Sequence, residues 1–311
     1  MAGVRVPIIV GPTAVGKTAV ALALAERLPL EVVSADSRQI YRRLDIGTAK
    51  PAPRELRRVP HHGINVVSPG ERYSAGRFAR EAAGWIAAIR ERGRLPIVVG
   101  GTGLYVRALV EGLFREPPLD PESRRAVGEY VARLGTTDLV RWASRLDPRF
   151  GGGGRQRAMR TIEIGLLSGR PLSHWQERAR AASEVAPWYV VLTVPRPILH
   201  RRIETRAEEM VHRGVIEEVA GVLADGTLPG SPGLDGVGIR EVVEYLQGVR
   251  PRPMVGPGIA TSTRQYAKRQ ETWFRHQLRG PVFTIDAVRP AEQVAAEIAA
   301  AWAGTKEGEG S

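Results

Sequence analysis

A glycine-rich segment near the N-terminus carries the residue types of a phosphate-binding site. Residues 11–18 read Gly-Pro-Thr-Ala-Val-Gly-Lys-Thr and fit the pattern G-x-x-x-x-G-K-[ST]. In this pattern the glycines let backbone N–H groups turn toward phosphate oxygens, and the dipole of the following helix favours the anion. Lys17 adds a mobile cation, and Thr18 places a hydroxyl where Mg²⁺ can bind. The pattern predicts a phosphorylated ligand held by Gly11, Pro12, Thr13, Ala14, Val15, Gly16, Lys17 and Thr18.

A carboxylate follows the second predicted strand, in Ala-Asp-Ser-Arg-Gln at residues 35–39. Asp36 is compatible with two roles, a magnesium ligand or a proton acceptor beside the phosphate loop. Most chains with such a loop bind a nucleotide, so a kinase or an ATPase is the default interpretation. The predicted strand at 95–99, however, runs into Gly100-Gly-Thr-Gly103 and offers no acidic residue to hold magnesium, which weighs against that interpretation.

The elements around these segments alternate between strand and helix. Apolar runs predict strands at 6–10, 31–35, 95–99, 188–194 and 282–285. Helical spacing predicts helices at 18–28, 74–92, 197–212, 215–224, 240–246, 261–279 and 291–302. The alternation predicts an α/β fold, a P-loop NTPase-like parallel sheet with helices on both faces.

Residues 121–134, 137–146 and 156–167 show helical pattern alone, which predicts a helical insertion domain. We therefore expect a core domain of residues 1–119 and 187–311. The insertion would comprise residues 120–186. The tail from Gly304 to Ser311 is expected to be disordered.

The composition indicates a soluble globular chain with an excess of positive charge. Of 311 residues 43% are hydrophobic, and 45 Lys and Arg against 33 Asp and Glu give a net charge of +12. This excess suits a polyanionic partner, although an arginine-biased genome would give the same number. The absence of cysteine excludes disulfides, a thiolate nucleophile and cysteine-based metal sites. The short apolar runs predict a cytoplasmic protein with no membrane partner, and we expect a monomer because the chain shows no heptad pattern.

Six segments together resemble the bacterial tRNA dimethylallyltransferases, also called tRNA isopentenyltransferases. They occur in the order of that family and extend over nearly the whole chain. The most specific are Asp36-Ser-x-Gln-x-Tyr41 and Asp45-Ile-Gly-Thr-Ala-Lys-Pro51. The segments lie at 11–18, 35–41, 45–51, 73–78, 99–105 and 263–270.

The resemblance implies transfer of a dimethylallyl group from dimethylallyl pyrophosphate to N6 of adenosine 37, in tRNAs that read codons starting with U. The phosphate loop would then hold the pyrophosphate leaving group, with Mg²⁺ bound at Thr18. Lys17 and Arg206 would stabilise the charge that develops on this group. Asp36 would accept a proton from N6, and Thr102 would contact the adenine or orient the reacting groups.

The resemblance also implies contacts with the anticodon stem-loop of the tRNA. The matching residues are Asp36, Ser37, Arg38, Gln39, Thr102, Arg124, Gln156, Arg157, Ala158, Met159 and Arg160. A basic stripe on the predicted helix 261–279 is either a solvated face or an RNA contact, and the resemblance favours the RNA contact. The stripe comprises Arg264, Lys268, Arg275 and Arg279, of which Arg264 and Lys268 are the RNA candidates.

Two segments depart from the pattern of the family. Arg149-Phe-Gly-Gly-Gly-Gly154 replaces a longer stretch, and Ile239 and Glu241 stand where tyrosine and glutamine are common. We expect the negative charge of Glu241 to weaken or retune contacts with RNA. The adjacent residues His61 and His62 point apart, so they do not predict a zinc site.

Two other functions remain open from the residues alone. A nucleoside or small-molecule kinase would share the phosphate loop and the sheet, and it would turn over ATP with a small acceptor. A nucleotide-switched RNA-binding protein would change its RNA affinity with ATP or GTP and form no covalent product. Each of them explains either the phosphate loop or the RNA-like charge, whereas the allylic transfer explains both.

Overall fold

Six parallel strands form one sheet in the computed structural model, which describes residues 3–112, 117–178 and 184–307. Their order across the sheet is β3-β2-β4-β1-β5-β6. The strands are β1 (Val4–Val10), β2 (Leu30–Ser34), β3 (His61–His62), β4 (Leu95–Gly100), β5 (Val185–Thr193) and β6 (Val282–Asp286). Since all of them run parallel, their carboxyl ends meet at one edge of the sheet, where ligands bind in such folds. The predicted α/β class is confirmed.

Helices follow most of the strands. The first group is α1 (Lys17–Leu24), α2 (Pro53–Arg58), α3 (Ala75–Glu91) and α4 (Gly103–Glu111). The second group is α5 (Pro121–Ala132), α6 (Thr136–Leu146), α7 (Arg155–Ser168) and α8 (Leu172–Arg178). The third group is α9 (Arg196–His212), α10 (Val215–Ala224), α11 (Ile239–Leu246), a 3₁₀ turn (Arg252–Met254), α12 (Val255–Gln277) and α13 (Ala291–Glu307). Among the described residues, none of the helices is long and apolar enough to cross a membrane.

Both faces of the sheet are covered, which explains why its central strands are mostly apolar. Ile9 of β1 packs on one face with residues of α1 and α13, including Val294. Its neighbour Ile8 packs on the other face with residues of α3 and α4, including Phe78. A third apolar cluster joins α9, α10, α11 and α12 to the segment that follows β2. These helices bring residues from the C-terminal half to the edge where the phosphate loop lies.

The chain divides into two compact units, residues 1–110 with 184–311 and residues 111–183. The first unit contains the sheet. The second contains α5 to α8 around a core that includes Leu139, Ala158 and Ile162. Within it, the guanidinium of Arg155 donates to two carbonyl oxygens at the end of α5, both at 2.5 Å. The start of α7 is thereby tied to α5 directly after the Gly151–Gly154 segment.

Several element boundaries differ from the expected ones. Helix α12 begins at Val255 instead of residue 261, because Pro257 lies in its first turn, where a backbone N–H has no helical partner to lose. The helices α2, α4 and α8 were not predicted. The prediction of a disordered tail from Gly304 was wrong in part, since α13 extends to Glu307. Residues 308–311 lie outside the described part of the chain.

Candidate active site

The loop between β1 and α1 is folded around the ammonium group of Lys17. Its Nζ donates to the carbonyl oxygens of Gly11 at 2.9 Å and Pro12 at 2.8 Å. Gly11 has a φ of +150°, and a Cβ there would lie 2.6 Å from the carbonyl oxygen of Leu192, so this position requires glycine. Because α1 begins at Lys17, the unpaired N–H groups of its first turn lie beside this cation. The loop thus concentrates positive charge at one point.

Arg206 from α9 adds a second cation to this loop. Its Nη1 donates to Oγ1 of Thr13 at 3.4 Å. Desolvation lowers the pKa of Lys17 from 10.5 to about 7, an effect that Asp36 opposes and Arg206 reinforces. Desolvation also lowers the pKa of Arg206, against the opposing charges of Glu209 and Asp36. Two desolvated cations with one nearby carboxylate favour a ligand that brings further negative charge.

Asp36 and Thr102 are brought together by the ends of the neighbouring strands β2 and β4. The backbone N–H of Thr102 donates to the carbonyl oxygen of Ala35 at 3.1 Å. Its hydroxyl accepts from the N–H of Ser37 at 3.0 Å and donates to Oγ of Ser37 at 3.2 Å. A Cβ at Gly100 would lie 2.1 Å from the oxygen of Ala35, so only glycine permits this approach. Asp36, the predicted proton acceptor, is therefore the sequence neighbour of Ser37, whose hydroxyl group contacts Thr102.

The residues after Asp36 form a turn that is braced by a distant segment. The N–H of Arg38 donates to Oδ1 of Asp36 at 2.8 Å. The guanidinium of Arg38 in turn donates to the oxygen of Pro232 at 2.9 Å and to Asp235 at 2.5 Å. The residues from Asp36 to Gln39 all line one cavity at this edge of the sheet. These contacts fix the orientation of the Asp36 carboxylate.

Three of the four predicted catalytic residues, Lys17, Asp36 and Arg206, line a single cavity of about 620 Å³. The fourth, Thr102, lies behind Ser37, which lines the same cavity. A cavity of this size is usual for a small-molecule site. Its charged part includes Lys17, Asp36 and Arg206, with the hydroxyl of Thr18 beside them. Its apolar part includes Ile203, Ala207, Met210, Val237 and Ile259. The cavity is therefore suited to a ligand with an anionic end and a short hydrocarbon end.

One wall of the cavity, residues 47–49, is held by the side chains of Lys50 and Glu218 behind it. The side chain of Lys50 is 2% exposed. Its ammonium group donates to three oxygens at 2.5–2.7 Å, those of Tyr41 O, Asp45 Oδ1 and Asn65 Oδ1. Glu218 of α10 binds the backbone of the same turn. Glu218 was not predicted as a site residue, because its partners lie some 170 residues away in the chain and no local sequence pattern indicates the contact.

The RNA candidates of the first unit differ in their surroundings. Arg264 on α12 pairs with Glu204 at 2.6 Å and donates to the hydroxyl of Thr261 at 3.0 Å. Lys268 and Arg275 are exposed on the same helix. The surface of α12 therefore carries positive charge near the cavity, which Tyr266 and Arg269 of this helix also line.

The structure corrects the expectation for Glu241. Its side chain is fully buried, where it accepts from the N–H of Gly238 at 2.8 Å and from the hydroxyl of Ser262 at 2.6 Å. The carboxylate thus caps α11 and joins it to α12. Ile239 is also buried and packs against Gly47. Both residues therefore shape the scaffold of the site and do not offer their side chains to RNA.

The two adjacent histidines have structural partners. Nδ1 of His61 is hydrogen-bonded to the oxygen of Val59, and Nε2 of His62 to Glu31, both at 2.7 Å. Glu31 is buried in β2 and also accepts from Arg92. Across the described ranges, no group of three or more His, Cys, Asp or Glu residues could hold a metal ion.

The RNA candidates of the second unit lie on α5 and α7. Nε of Arg124 and Nη1 of Arg160 both approach Oε1 of Glu163, at 2.6 and 2.9 Å. Gln156 and Arg157 are exposed, and the guanidinium of Arg157 lies 5.7 Å from the ring centre of Phe150. Met159 is partly buried, whereas Ala158 is fully buried in the core of the unit. The side chain of Ala158 therefore supports the helix, and its neighbours form the basic surface.

Sequence comparisons relate the chain to known enzymes. The sequence model of the IPP transferase family matches residues 39–277, and that of the isopentenyl transferase family matches residues 4–62. A tRNA dimethylallyltransferase of Halorhodospira halophila is 47% identical over 286 residues, 89% of this chain and 92% of that protein. One from Aromatoleum aromaticum is 43% identical over 94% of this chain and 95% of that protein.

Solved structures agree with the sequence comparisons. A full-length tRNA isopentenylpyrophosphate transferase from Bacillus halodurans superimposes with a TM-score of 0.71 at 33% identity, with 99% of both chains covered. A eukaryotic dimethylallyltransferase acting on tRNA gives a TM-score of 0.78 at 26% identity, over 97% of this chain and 80% of that chain. This protein therefore belongs to the IPP transferase family and is an enzyme that transfers an alkyl group.

Proposed function

We propose that this protein transfers a dimethylallyl group from dimethylallyl pyrophosphate to N6 of adenosine 37, in tRNAs that read codons starting with U. The observation that carries the proposal is the cavity in which Asp36, Lys17 and Arg206 lie together beside an apolar wall. The related proteins named tRNA dimethylallyltransferase support the choice of donor and acceptor. The products are N6-dimethylallyladenosine and pyrophosphate.

The leaving group is stabilised by the phosphate loop. As the bond between C1 of the allylic group and the pyrophosphate oxygen breaks, both electrons of the bond go to that oxygen. Lys17, Arg206 and the N–H groups of residues 14–18 supply positive charge and donors for it. Removing one donor of this kind typically lowers kcat by about 10²–10³-fold. The apolar residues of the cavity accept the five-carbon group.

Asp36 acts as the base for the incoming adenine. The lone pair of N6 is shared with the ring, so N6 becomes a good nucleophile only as it loses a proton. N6 forms its bond to C1, and the proton passes to the carboxylate of Asp36. Thr102, held against the turn after Asp36, contacts the adenine and fixes its position. Geometry of this kind is what general-base catalysis requires.

The chemistry of the donor atoms fits Mg²⁺. The hydroxyl of Thr18 and the carboxylate of Asp36 line the same space beside Lys17. Mg²⁺ prefers such oxygen ligands and completes its coordination with substrate phosphates and water. We propose that Thr18 holds the ion, which supplies positive charge to the pyrophosphate oxygens when bound.

The acceptor base has to leave the anticodon loop in order to enter the cavity. Single-stranded RNA is recognised through stacking, base edges and phosphate pairing, which suits exposed arginine and lysine side chains. The residues proposed to contact tRNA are Asp36, Ser37, Arg38, Gln39, Thr102, Arg124, Gln156, Arg157, Met159, Arg160, Arg264 and Lys268.

Mass spectrometry of an unmodified tRNA with the sequence A36-A37-A38 tests the proposal. The tRNA is incubated with the protein, Mg²⁺ and dimethylallyl pyrophosphate, and is then digested to nucleosides. We expect a product heavier by one five-carbon prenyl unit at nucleotide 37. An adduct at another nucleotide would change the acceptor site. ATP consumption with a phosphorylated small acceptor, and no adduct, would replace the proposal by a kinase.

A further inference from the structure

Three side chains on one face of α12 cover the turn Gly101–Gly103. Tyr266, Gln270 and Trp273 follow at intervals of four and three residues, which places them on one helix face. Each meets a different residue of the turn. Tyr266 lies beside Thr102, Gln270 is hydrogen-bonded to Gly101, and Trp273 packs on Gly103, where a Cβ would lie 2.3 Å from its ring. The position of Thr102 is thus set by α12 as well as by β4.

Gln270 also reaches the phosphate loop. Its Oε1 accepts from the backbone N–H of Thr13 at 2.8 Å, and its Nε2 donates to the oxygen of Gly101 at 2.8 Å. The residue is 5% exposed, so both halves of one amide are used in a buried position. A Cβ at Gly101 would lie 2.2 Å from Nε2, which shows how closely the turn approaches.

These two partners belong to different halves of the proposed site. Thr13 lies in the loop proposed to bind pyrophosphate and its hydroxyl contacts Arg206, whereas Gly101 precedes the residue proposed to position the adenine. A planar amide keeps its donor and acceptor at a fixed separation. Movement of one loop is therefore transmitted to the other through a single rigid group.

We propose that Gln270 is a positioning residue that couples the phosphate loop to the turn carrying Thr102, so that donor binding places the acceptor base. This inference rests on the proposed function. Since a misplacement of about 1 Å can cost 10²-fold in rate, loss of the amide should lower kcat more than it raises the KM of either substrate. Coupling between two binding sites is reciprocal, so pyrophosphate bound in the phosphate loop should also strengthen the binding of tRNA.

The variant Gln270→Glu separates this role from packing. At pH 8 the introduced carboxylate still accepts from Thr13, but it has no proton to donate to Gly101. In its protonated form the same group can donate that hydrogen bond. Burial raises the pKa of a carboxyl group, whereas the nearby cations Lys17 and Arg206 lower it. We expect kcat to fall by about 10-fold or more at pH 8 and, relative to wild type, to rise only as the pH falls far enough to protonate the carboxylate. The variant Gln270→Met should stay low at every pH.

A matched control uses Gln265, which is exposed on the same helix. Gln265→Glu should keep the kcat and the pH profile of the wild type. Wild-type kcat in Gln270→Glu at pH 8, or in Gln270→Met, would overturn the positioning role. Thermal unfolding of each variant shows whether the protein is folded when its kcat is measured.

A binding measurement keeps the test independent of prenyl transfer. The affinity of unmodified tRNA is measured with and without inorganic pyrophosphate, for the wild type and for Gln270→Met. We expect pyrophosphate to tighten tRNA binding several-fold in the wild type and to have little effect in the variant. Equal coupling in both proteins would refute the inference even if the wild type is an active transferase. Absence of prenyl transfer with coupling that depends on Gln270 would refute only the proposed reaction.

Discussion

The carboxylate of Glu218, in the first turn of α10, accepts a hydrogen bond from the backbone N–H of Asp45 at 2.6 Å. It accepts two more from the next residues, Ile46 at 2.7 Å and Gly47 at 2.8 Å. Three consecutive N–H groups thus converge on one anion, and hydrogen bonds to charged acceptors are the stronger kind. The turn that they fix forms a wall of the cavity at residues 47–49. A residue of the C-terminal half therefore shapes a wall made by the N-terminal half.

Glu218→Ala should loosen that wall. We expect the free energy of unfolding to fall by about 1–3 kcal/mol, because three N–H groups, two of them in partly buried hydrogen bonds, lose their acceptor. The KM for the prenyl donor should rise, while tRNA affinity should change little. Glu217→Ala is the control, since this exposed neighbour in the same turn offers only a helix-terminus interaction of about 0.3–1 kcal/mol. Urea unfolding and steady-state kinetics measure both effects. Similar losses in the two variants would show that the amide contacts are unimportant.

Asp36→Asn should separate chemistry from binding. The amide oxygen can still accept from Arg38, so the turn should keep its shape, but the side chain can no longer take a proton from N6. We expect prenyl transfer to fall by about 10²–10⁴-fold, and tRNA affinity to stay within a few-fold of the wild type. Single-turnover transfer and filter binding measure these quantities. Asp225→Asn, an exposed carboxylate paired with Arg43, serves as control. Undiminished transfer in the Asp36 variant would remove Asp36 as the base.

Gly100→Ala should push apart the ends of β2 and β4. Its Cβ would meet the backbone at Ala35, which cannot rotate away, so we expect a loss of about 1–3 kcal/mol in stability. Transfer should fall by about 10²-fold because Thr102 moves relative to Asp36. Gly84→Ala is the opposite case, since its Cβ would meet nothing within 4 Å on the exposed face of α3. That variant should gain about 0.5–1 kcal/mol. Wild-type stability in Gly100→Ala would contradict the close approach.

Glu31 should make the stability of the sheet sensitive to acid. The hydrogen bonds from Arg92 and His62 hold the pKa of this carboxyl below its ordinary value of 4.5. The contribution of Glu31 to the free energy of unfolding is therefore fully present above about pH 4.5, the pKa of this group in the unfolded chain. It is lost as the pH falls through the lower pKa of the folded protein. Urea unfolding between pH 3 and 7 should show a smaller acid dependence for Glu31→Gln than for the wild type. Glu26→Gln, which removes an exposed partner of Arg58, should follow the wild type.

Local signals allowed the elements next to the site to be predicted. The apolar run at 6–10 followed by the glycine pattern specifies a strand, a loop and a helix, and the structure has β1 and α1 there. Helix α4 was missed because Gly-Gly-Thr-Gly is typical of a loop. Its residues Tyr105, Val106 and Leu109 are buried against the sheet, and this tertiary packing stabilises the helix.

Contacts between distant parts of the chain could not be predicted. Glu218 and Gln270 each bind backbone groups, which carry no sequence signature, across more than 160 residues. Glu241 was expected to weaken or retune contacts with RNA because it stands where glutamine is common in the resembled family. In the structure its carboxylate is buried and accepts hydrogen bonds from the N–H of Gly238 and the hydroxyl of Ser262. Neither partner could be inferred from the sequence.

The pairing of β1 with β5 has a consequence for synthesis. The two strands are adjacent in the sheet from Val4 to Val10, yet about 180 residues separate them in the chain. At 5–20 residues per second, the ribosome needs about 10–40 s to make that stretch. During this interval one edge of a largely apolar strand has no partner from its own sheet, and such edges invite association with other chains. Arg206 and α12 emerge later still, so the site is assembled last although its signature segment is among the first residues made.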